Sequence, residues 1–347
     1  MPARRIGDVM SLPRATVVIP CYNHGQFVGQ AARSALAQTN ADVRIIIVND
    51  GSDDQNTPGQ CDQCKDLAPD QITIIHQNNQ GLPAARNRGA AQTDAQFLVF
   101  LDADDWIEPQ FVSKLAAAIH SAPDSDQVSH AYCQERLVEL GENVWRVPEW
   151  DPLLMMVTNI HPVTTLVQRD HFEAVGGFDE TLTRGYEDWD LWLKFVERSW
   201  HGVRVPEILF TWRRHSHSTM VMQVIDDHES LFKAIMDRHE DLYKKHASQL
   251  LLKMNTMMRR FDVNWIDETG YPIPLQYLWS QRDELARIRE QNIAPADLDA
   301  VHKEYGRLTS VRFARWLNRS VDALPRPAAR MLHAAMGFIK RFVPGPQ

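Results

Sequence analysis

Four short apolar runs fall within the first hundred or so residues: Thr16-Val17-Val18-Ile19-Pro20, Val43-Arg44-Ile45-Ile46-Ile47-Val48, Ile72-Thr73-Ile74-Ile75 and Phe97-Leu98-Val99-Phe100-Leu101. Each has strand length, is rich in β-branched or aromatic residues and largely lacks polar alternation, which predicts strands covered on both faces. Between the first two, Phe27, Ala31, Ala32, Ala35 and Leu36 recur at helical spacing. Pro83 suits the first turn of a helix carrying Arg86 and Arg88, and a further helix is expected to begin near Pro109. Strands alternating with helices predict an α/β fold, a doubly wound, mainly parallel sheet with helices on both faces. From Val128 to Trp212 the pattern is more mixed, with short strands expected around Thr164–Val167 and Ile208–Thr211. Beyond Met220 it becomes helical, with Ile225, Phe232, Ile235, Met236 and Tyr243 near one face.

The runs end in polar segments: Tyr22-Asn23-His24-Gly25, Asn49-Asp50-Gly51-Ser52-Asp53-Asp54, Asn78-Asn79-Gln80-Gly81, and Asp102-Ala103-Asp104-Asp105. In open α/β sheets ligands bind at the C-terminal ends of the strands. Carboxylates crowded at such an end repel one another unless a cation or polar ligand lies among them. The Asp102–Asp105 cluster is therefore either a metal–phosphate site or a solvated turn capping the next helix, and its residues alone leave both open. Two nucleotide-handling designs are excluded, because neither a Gly-x-Gly-x-x-Gly turn after the first strand nor a Gly-x-x-x-x-Gly-Lys-Ser/Thr loop is present. The glycine- and arginine-rich loop of sugar nucleotidyltransferases is missing too.

A net charge of −8 over 347 residues gives no support for nucleic acid as a partner. That charge is unevenly spread: residues 311–347 carry six Arg and one Lys against one Asp, +6, which leaves −14 for the rest. No signal-peptide core is expected near the N-terminus, and no run of about 18 apolar residues predicts a spanning helix. Cys61-Asp62-Gln63-Cys64 has zinc-like spacing without a second Cys/His pair, so it is read as part of a polar helix or loop. Four scattered cysteines fit a reducing cytoplasm.

Taken in order, Val17-Val18-Ile19-Pro20-Cys21-Tyr22-Asn23, Val48-Asn49-Asp50-Gly51-Ser52-Asp53-Asp54, Gly81-Leu82-Pro83-Ala84-Ala85-Arg86-Asn87 and Leu101-Asp102-Ala103-Asp104-Asp105 resemble the signatures of family 2 glycosyltransferases. Val175-Gly176-Gly177-Phe178-Asp179-Glu180, Tyr186-Glu187-Asp188-Trp189-Asp190 and Trp212-Arg213-Arg214-His215 extend the resemblance over about Ala15 to Met220. It implies a GT-A fold and inverting transfer of a sugar from a nucleotide donor, in particular a UDP-sugar, to a glycan or lipid-linked acceptor. It also implies roles. Pro20, Tyr22, Asn23, Asp50, Arg86, Asp102 and Ala103 would bind the nucleotide sugar, with Asp50 accepting from the uracil ring. Asp104 and His215 would hold Mn²⁺ or Mg²⁺, Asp188 would be the general base supported by Glu187, and Trp189 would stack on the acceptor. Trp212 stands where the family commonly has Tyr, and no Gln-x-x-Arg-Trp string follows the base, which points to non-processive transfer.

The expected organisation is an extension (1–14), a catalytic domain (15–220), a helical extension (221–310) and a basic amphipathic tail (311–347). In the tail Phe313, Trp316, Leu317, Met331 and Phe338 interleave with arginines, as in an interfacial helix on an anionic membrane. The expected location is cytoplasmic, peripheral at the inner face of the plasma membrane. The competing reading is a non-catalytic nucleotide-sugar or glycan-binding module on the same fold.

Overall fold

The computed structural model describes residues 12–139, 143–214 and 219–259. The chain runs β1 (Arg14–Cys21), α1 (Gly25–Leu36), β2 (Asp42–Asp50), α2 (Thr57–Cys64), β3 (Ile72–Gln77), α3 (Leu82–Ala90), β4 (Phe97–Phe100), β5 (Trp106–Ile107) and α4 (Phe111–Ser121). It continues through β6 (Val128–Val138), β7 (Asn143–Trp145), α5 (Pro152–Met155), β8 (Leu166–Gln168), α6 (Arg169–Ala174), α7 (Glu187–Glu197), β9 (His201–Arg213), α8 (Thr219–Arg238) and α9 (Glu240–Arg259).

The described strands form one sheet in the order β3-β2-β1-β4-β8-β6-β9-β5, with β7 paired to β6. The four apolar runs give the expected parallel half, in which β1 lies between β2 and β4 and pairs Val17 with both Ile45 and Val99. The side chains of β1, β2 and β4 are mostly buried on both faces, as the lack of alternation requires, whereas β3, at the sheet edge, buries only Ile72 fully and exposes Thr73. The other half is mixed rather than parallel: β8 runs antiparallel to β4 and β6, while β6 and β9 are parallel. The sequence pattern did not resolve the eleven-residue β6.

Local chemistry sets the geometry at the strand ends. Asp54 Oδ1 accepts from the Asn56 and Thr57 amides at 2.8 and 2.7 Å, which starts α2. Gly51 has φ +64°, and a Cβ there would lie 2.4 Å from the Asn79 amide, so the turn after β2 admits no side chain. Cys61 and Cys64 both lie on α2 and are buried in the main core, an apolar role rather than an exposed metal-binding one. The compact unit that contains the sheet extends to Tyr243 and includes α8, while residues from Lys244 belong to a second unit.

Candidate active site

Because β1, β2 and β4 are in register and parallel, their C-terminal ends lie side by side and bring three polar clusters to one edge. At the end of β1, Tyr22 is exposed and its hydroxyl donates to Asp53 at 3.2 Å. Asn23, in the left-handed region at φ 57°, donates through Nδ2 to Asp53 at 2.6 Å. Its Oδ1 accepts from the Asp53 and Asp54 amides at 3.0 and 3.2 Å. Pro20 is buried in the strand behind them.

Asp50, at the end of β2, is buried and already holds three hydrogen bonds. It accepts from Gln77 Nε2 at 2.8 Å and from the Gln80 and Gly81 amides at 2.9 Å each. It therefore anchors the β3–α3 loop, and a carboxylate with about four acceptor positions keeps roughly one for a ligand.

Arg86 forms the centre of the site. Its guanidinium is buried, with Nη1 donating to Glu187 Oε1 at 2.6 Å and Nη2 to Asp102 Oδ1 at 2.7 Å. Burial alone would lower its pKa, but Asp102 and Glu187 outweigh that and raise it. Arg86, expected to bind the nucleotide, is 1% exposed in this structure and ties the end of β4 to α7 through Asp102 and Glu187. Next to it, Asp188 receives the Trp189 amide on Oδ1 at 2.7 Å and Asn159 Nδ2 on Oδ2 at 2.9 Å. Burial and the neighbouring Glu187 push the Asp188 carboxyl up to about 7, against the pull of Arg86 and the two N–H donors.

Trp189 also departs from expectation. It is buried, its Nε1 donates to Met155 O at 2.6 Å, and its ring stacks on Phe232 at 5.1 Å. Helical periodicity places residue 189 on the core side of α7.

At the end of β4, Asp102 and Asp104 keep partial exposure, whereas Ala103 is buried. Asp104 Oδ2 lies 3.7 Å from His24 Nδ1. Asp105 turns inward and is buried. Burial, with Asp104 and Asp102 nearby, pushes its carboxyl well above the ordinary range, and it accepts the Arg213 amide at 2.8 Å. Arg213 Nε donates to Asp104 O at 2.9 Å, and the guanidinium lies over the Phe27 and Trp106 rings at 4.8 and 5.1 Å. Thus the end of β9 clamps the aspartate turn, a role of Arg213 and Asp105 that their motifs did not reveal.

Two carboxylates on a strand end are a hard-oxygen donor set suited to Mg²⁺ or Mn²⁺. Asp102 spends one oxygen on Arg86, and the Asp102 and Asp104 side chains are 36% and 15% exposed. Among the described residues no three His, Cys, Asp or Glu side chains are grouped to hold a metal, and His215 lies outside the described residues.

Residues 16–173 match glycosyl transferase family 2. They form a family 2 glycosyltransferase domain. The chain is 37% identical over 109 residues to an uncharacterized glycosyltransferase of Nostoc sp., covering 31% of this chain and 34% of that protein. It is 35% identical over 106 residues to the putative glycosyltransferase EpsH of Bacillus subtilis, 30% of each. An uncharacterized glycosyltransferase of Rickettsia typhi is 28% identical over 200 residues, 54% of this chain and 60% of its own. The chain thus spans between about a third and three-fifths of the length of these curated relatives. Among solved structures, S. aureus TarS superposes with a TM-score of 0.52 at 18% identity over 76% of this chain and 46% of TarS. TarS 1-349 in complex with UDP-GlcNAc gives 0.50 at 17% identity over 60% of each chain. At such identity the likeness is one of fold, the GT-A arrangement of a mixed sheet flanked by helices.

Proposed function

We propose that this protein transfers a sugar from a nucleotide donor, a UDP-sugar, to a glycan or lipid-linked acceptor by a single inverting displacement, one sugar per encounter. The observation that carries this reading is Asp188: a carboxylate at the first turn of α7, with its pKa raised toward neutrality and joined through Glu187 and Arg86 to the aspartates that end β4. A base with pKa near the working pH combines the right protonation state with useful driving force. Asp188 takes the proton of an acceptor hydroxyl as that oxygen bonds to the anomeric carbon. The bond from that carbon to the diphosphate breaks on the opposite face, and the nucleoside diphosphate leaves with the electron pair. Asp102 and Asp104 would hold a divalent ion, whose chemistry is to neutralise charge building on the diphosphate.

The strand-end rim of Tyr22, Asn23 and Asp50 suits a planar base and ribose, and the likeness in fold to TarS 1-349, solved with UDP-GlcNAc, supports uridine as the nucleotide. The basic segment 311–347 lies outside the described residues; its composition supports contact with an anionic membrane at the inner face of the plasma membrane. No helix among the described residues is long and apolar enough to cross a membrane. The test is a panel of nucleotide sugars with Mn²⁺, scoring nucleoside diphosphate release by the native protein and by Asp188→Asn and Asp104→Ala. Release by the native chain that both substitutions abolish is the expected result. Donor binding without release under any acceptor condition would instead make this a nucleotide-sugar-binding module.

A further inference from the structure

Beyond the family motifs, residues 157–165, between α5 and β8, supply a side chain to the base. Among the described residues Asn159 is the one side chain that hydrogen-bonds to Asp188, its Nδ2 on Oδ2 at 2.9 Å. The other donor, the Trp189 amide on Oδ1, is backbone and fixed by α7. The charged and titratable groups facing Asp188 are Glu187 and Tyr186 beside it and Arg86 from α3, with Asp102 beyond Arg86.

The segment that carries Asn159 is held at both ends. The Val157 and Thr158 amides each donate to Leu154 O at 2.9 Å, and Thr164 Oγ1 donates to Phe100 O at 3.0 Å, two residues before Asp102. Between these ends His161 is fully buried, and its hydrogen bonds leave a single tautomer. A carbonyl accepts only, so Nδ1 carries the proton that goes to Pro162 O at 3.1 Å. Its Nε2 must then accept, taking the Nε2–H of buried His130 at 3.0 Å, and His130 Nδ1 lies 2.9 Å from the Ser129 hydroxyl, whose one proton it shares with His201 O at 3.2 Å. The His161 ring stacks on Tyr132 at 4.4 Å with an 18° interplanar angle. Burial keeps both imidazoles neutral, His161 down to about 3 and His130 well below its ordinary value. A buried pair that is neutral and fully directional pins the backbone two residues from Asn159.

We propose that Asn159 is a positioning residue for the base: its amide fixes one oxygen of Asp188 and favours the carboxylate, so that the other faces the acceptor hydroxyl ionised. The proposal rests on the reading of Asp188 as the base, but its test does not need turnover. Aspartate ¹³C-carboxyl NMR, with the Asp188 signal identified by its loss in Asp188→Asn, follows the ionisation of that group directly. Replacing Asn159 by leucine, which is similar in size without a donor, is expected to raise the Asp188 midpoint by about one to two pH units, as for loss of a hydrogen bond to a charged group. Asn159→Ser, which keeps a short hydroxyl, is expected to raise it less and gives the same reading should the leucine variant not fold. If turnover is found, the acid limb of kcat/KM is expected to move with the midpoint, and the variant to regain most of its rate near pH 9. A role in packing alone would lower the rate equally at every pH. An unchanged Asp188 midpoint in the folded variants overturns the inference, whatever the activity. A raised midpoint in a protein that turns over no donor leaves the role of Asn159 standing and removes the glycosyltransferase reading.

Discussion

Asp188 and Arg86 show how two charges at one site take different jobs from their surroundings. Arg86 is enclosed and doubly paired, so it acts as structure; Asp188 is enclosed beside a second carboxylate, so it is held near its titration point. Asp188→Asn is expected to lower kcat/KM by about 10²–10⁴-fold with donor binding retained, measurable by nucleotide release alongside calorimetric titration. In the native enzyme kcat/KM is expected to rise with pH through about 7, because the base works only after Asp188 has lost its proton. An acid limb near 4 would mean that Asp188 is not the group being titrated. Arg86→Met leaves the buried Glu187 carboxylate without its partner and is expected to cost about 3–5 kcal/mol in urea unfolding. Lysine is not expected to restore it, since one ammonium cannot serve both the Glu187 and Asp102 oxygens with the same planar fork.

At the scale of elements, two contacts decide how the site is framed. Helix α3 approaches β1 so closely that a Cβ on Gly89 would stand 2.4 Å from Val18 Cγ1. Gly89→Ala is therefore expected to destabilise by about 1–3 kcal/mol despite the better helix propensity of alanine, read as a lowered unfolding midpoint. Where α8 meets α9, buried His239 donates from Nδ1 to Glu197 at 2.7 Å and from Nε2 to Asp190 at 3.1 Å. Burial works against the charged ring, but these two carboxylates outweigh it and raise its pKa above 6.5. Because the folded value lies above the unfolded one, the stabilisation is complete below about pH 6.5 and fades as pH rises through the folded value. His239→Gln is accordingly expected to lose about 3 kcal/mol at pH 6 and progressively less at alkaline pH, followed by denaturant unfolding across the range. A loss that stayed constant with pH would show that His239 contributes only by packing.

At the scale of the whole molecule the charge is divided, +6 in residues 311–347 against −14 elsewhere. A basic segment with interleaved aromatics gains roughly 1 kcal/mol per basic residue near an anionic surface. The full chain is expected to co-sediment with vesicles containing anionic lipid, and a chain ending before Val311 is not; the binding should weaken as salt is raised. Equal pelleting of both forms would remove the membrane assignment.

Strand-length apolar runs with polar ends were enough to write out the parallel half of the sheet and to place Asp50, Asp102 and Asp104 at its C-terminal edge, because both depend on local pattern and strand direction. The same reasoning expected a strand around Thr164–Val167, where β8 lies, but not its antiparallel direction, and it did not find β6, whose β8 and β9 partners are distant in sequence and leave no periodic trace. Nor did it give the orientation of particular side chains. Arg86 and Trp189 sit inside motifs that invite a ligand role, yet each is closed off by partners a long way along the chain, Glu187 and Met155 respectively. Asn159 carries no motif at all and meets Asp188 only because Thr164 and His161 secure the segment between α5 and β8. The sequence by itself determined which residues could do the chemistry and the strand edge where they gather. Tertiary structure alone decided which of them face the ligand and which hold the others in place, since burial and hydrogen-bond pairing depend on contacts that the chain makes only after it folds.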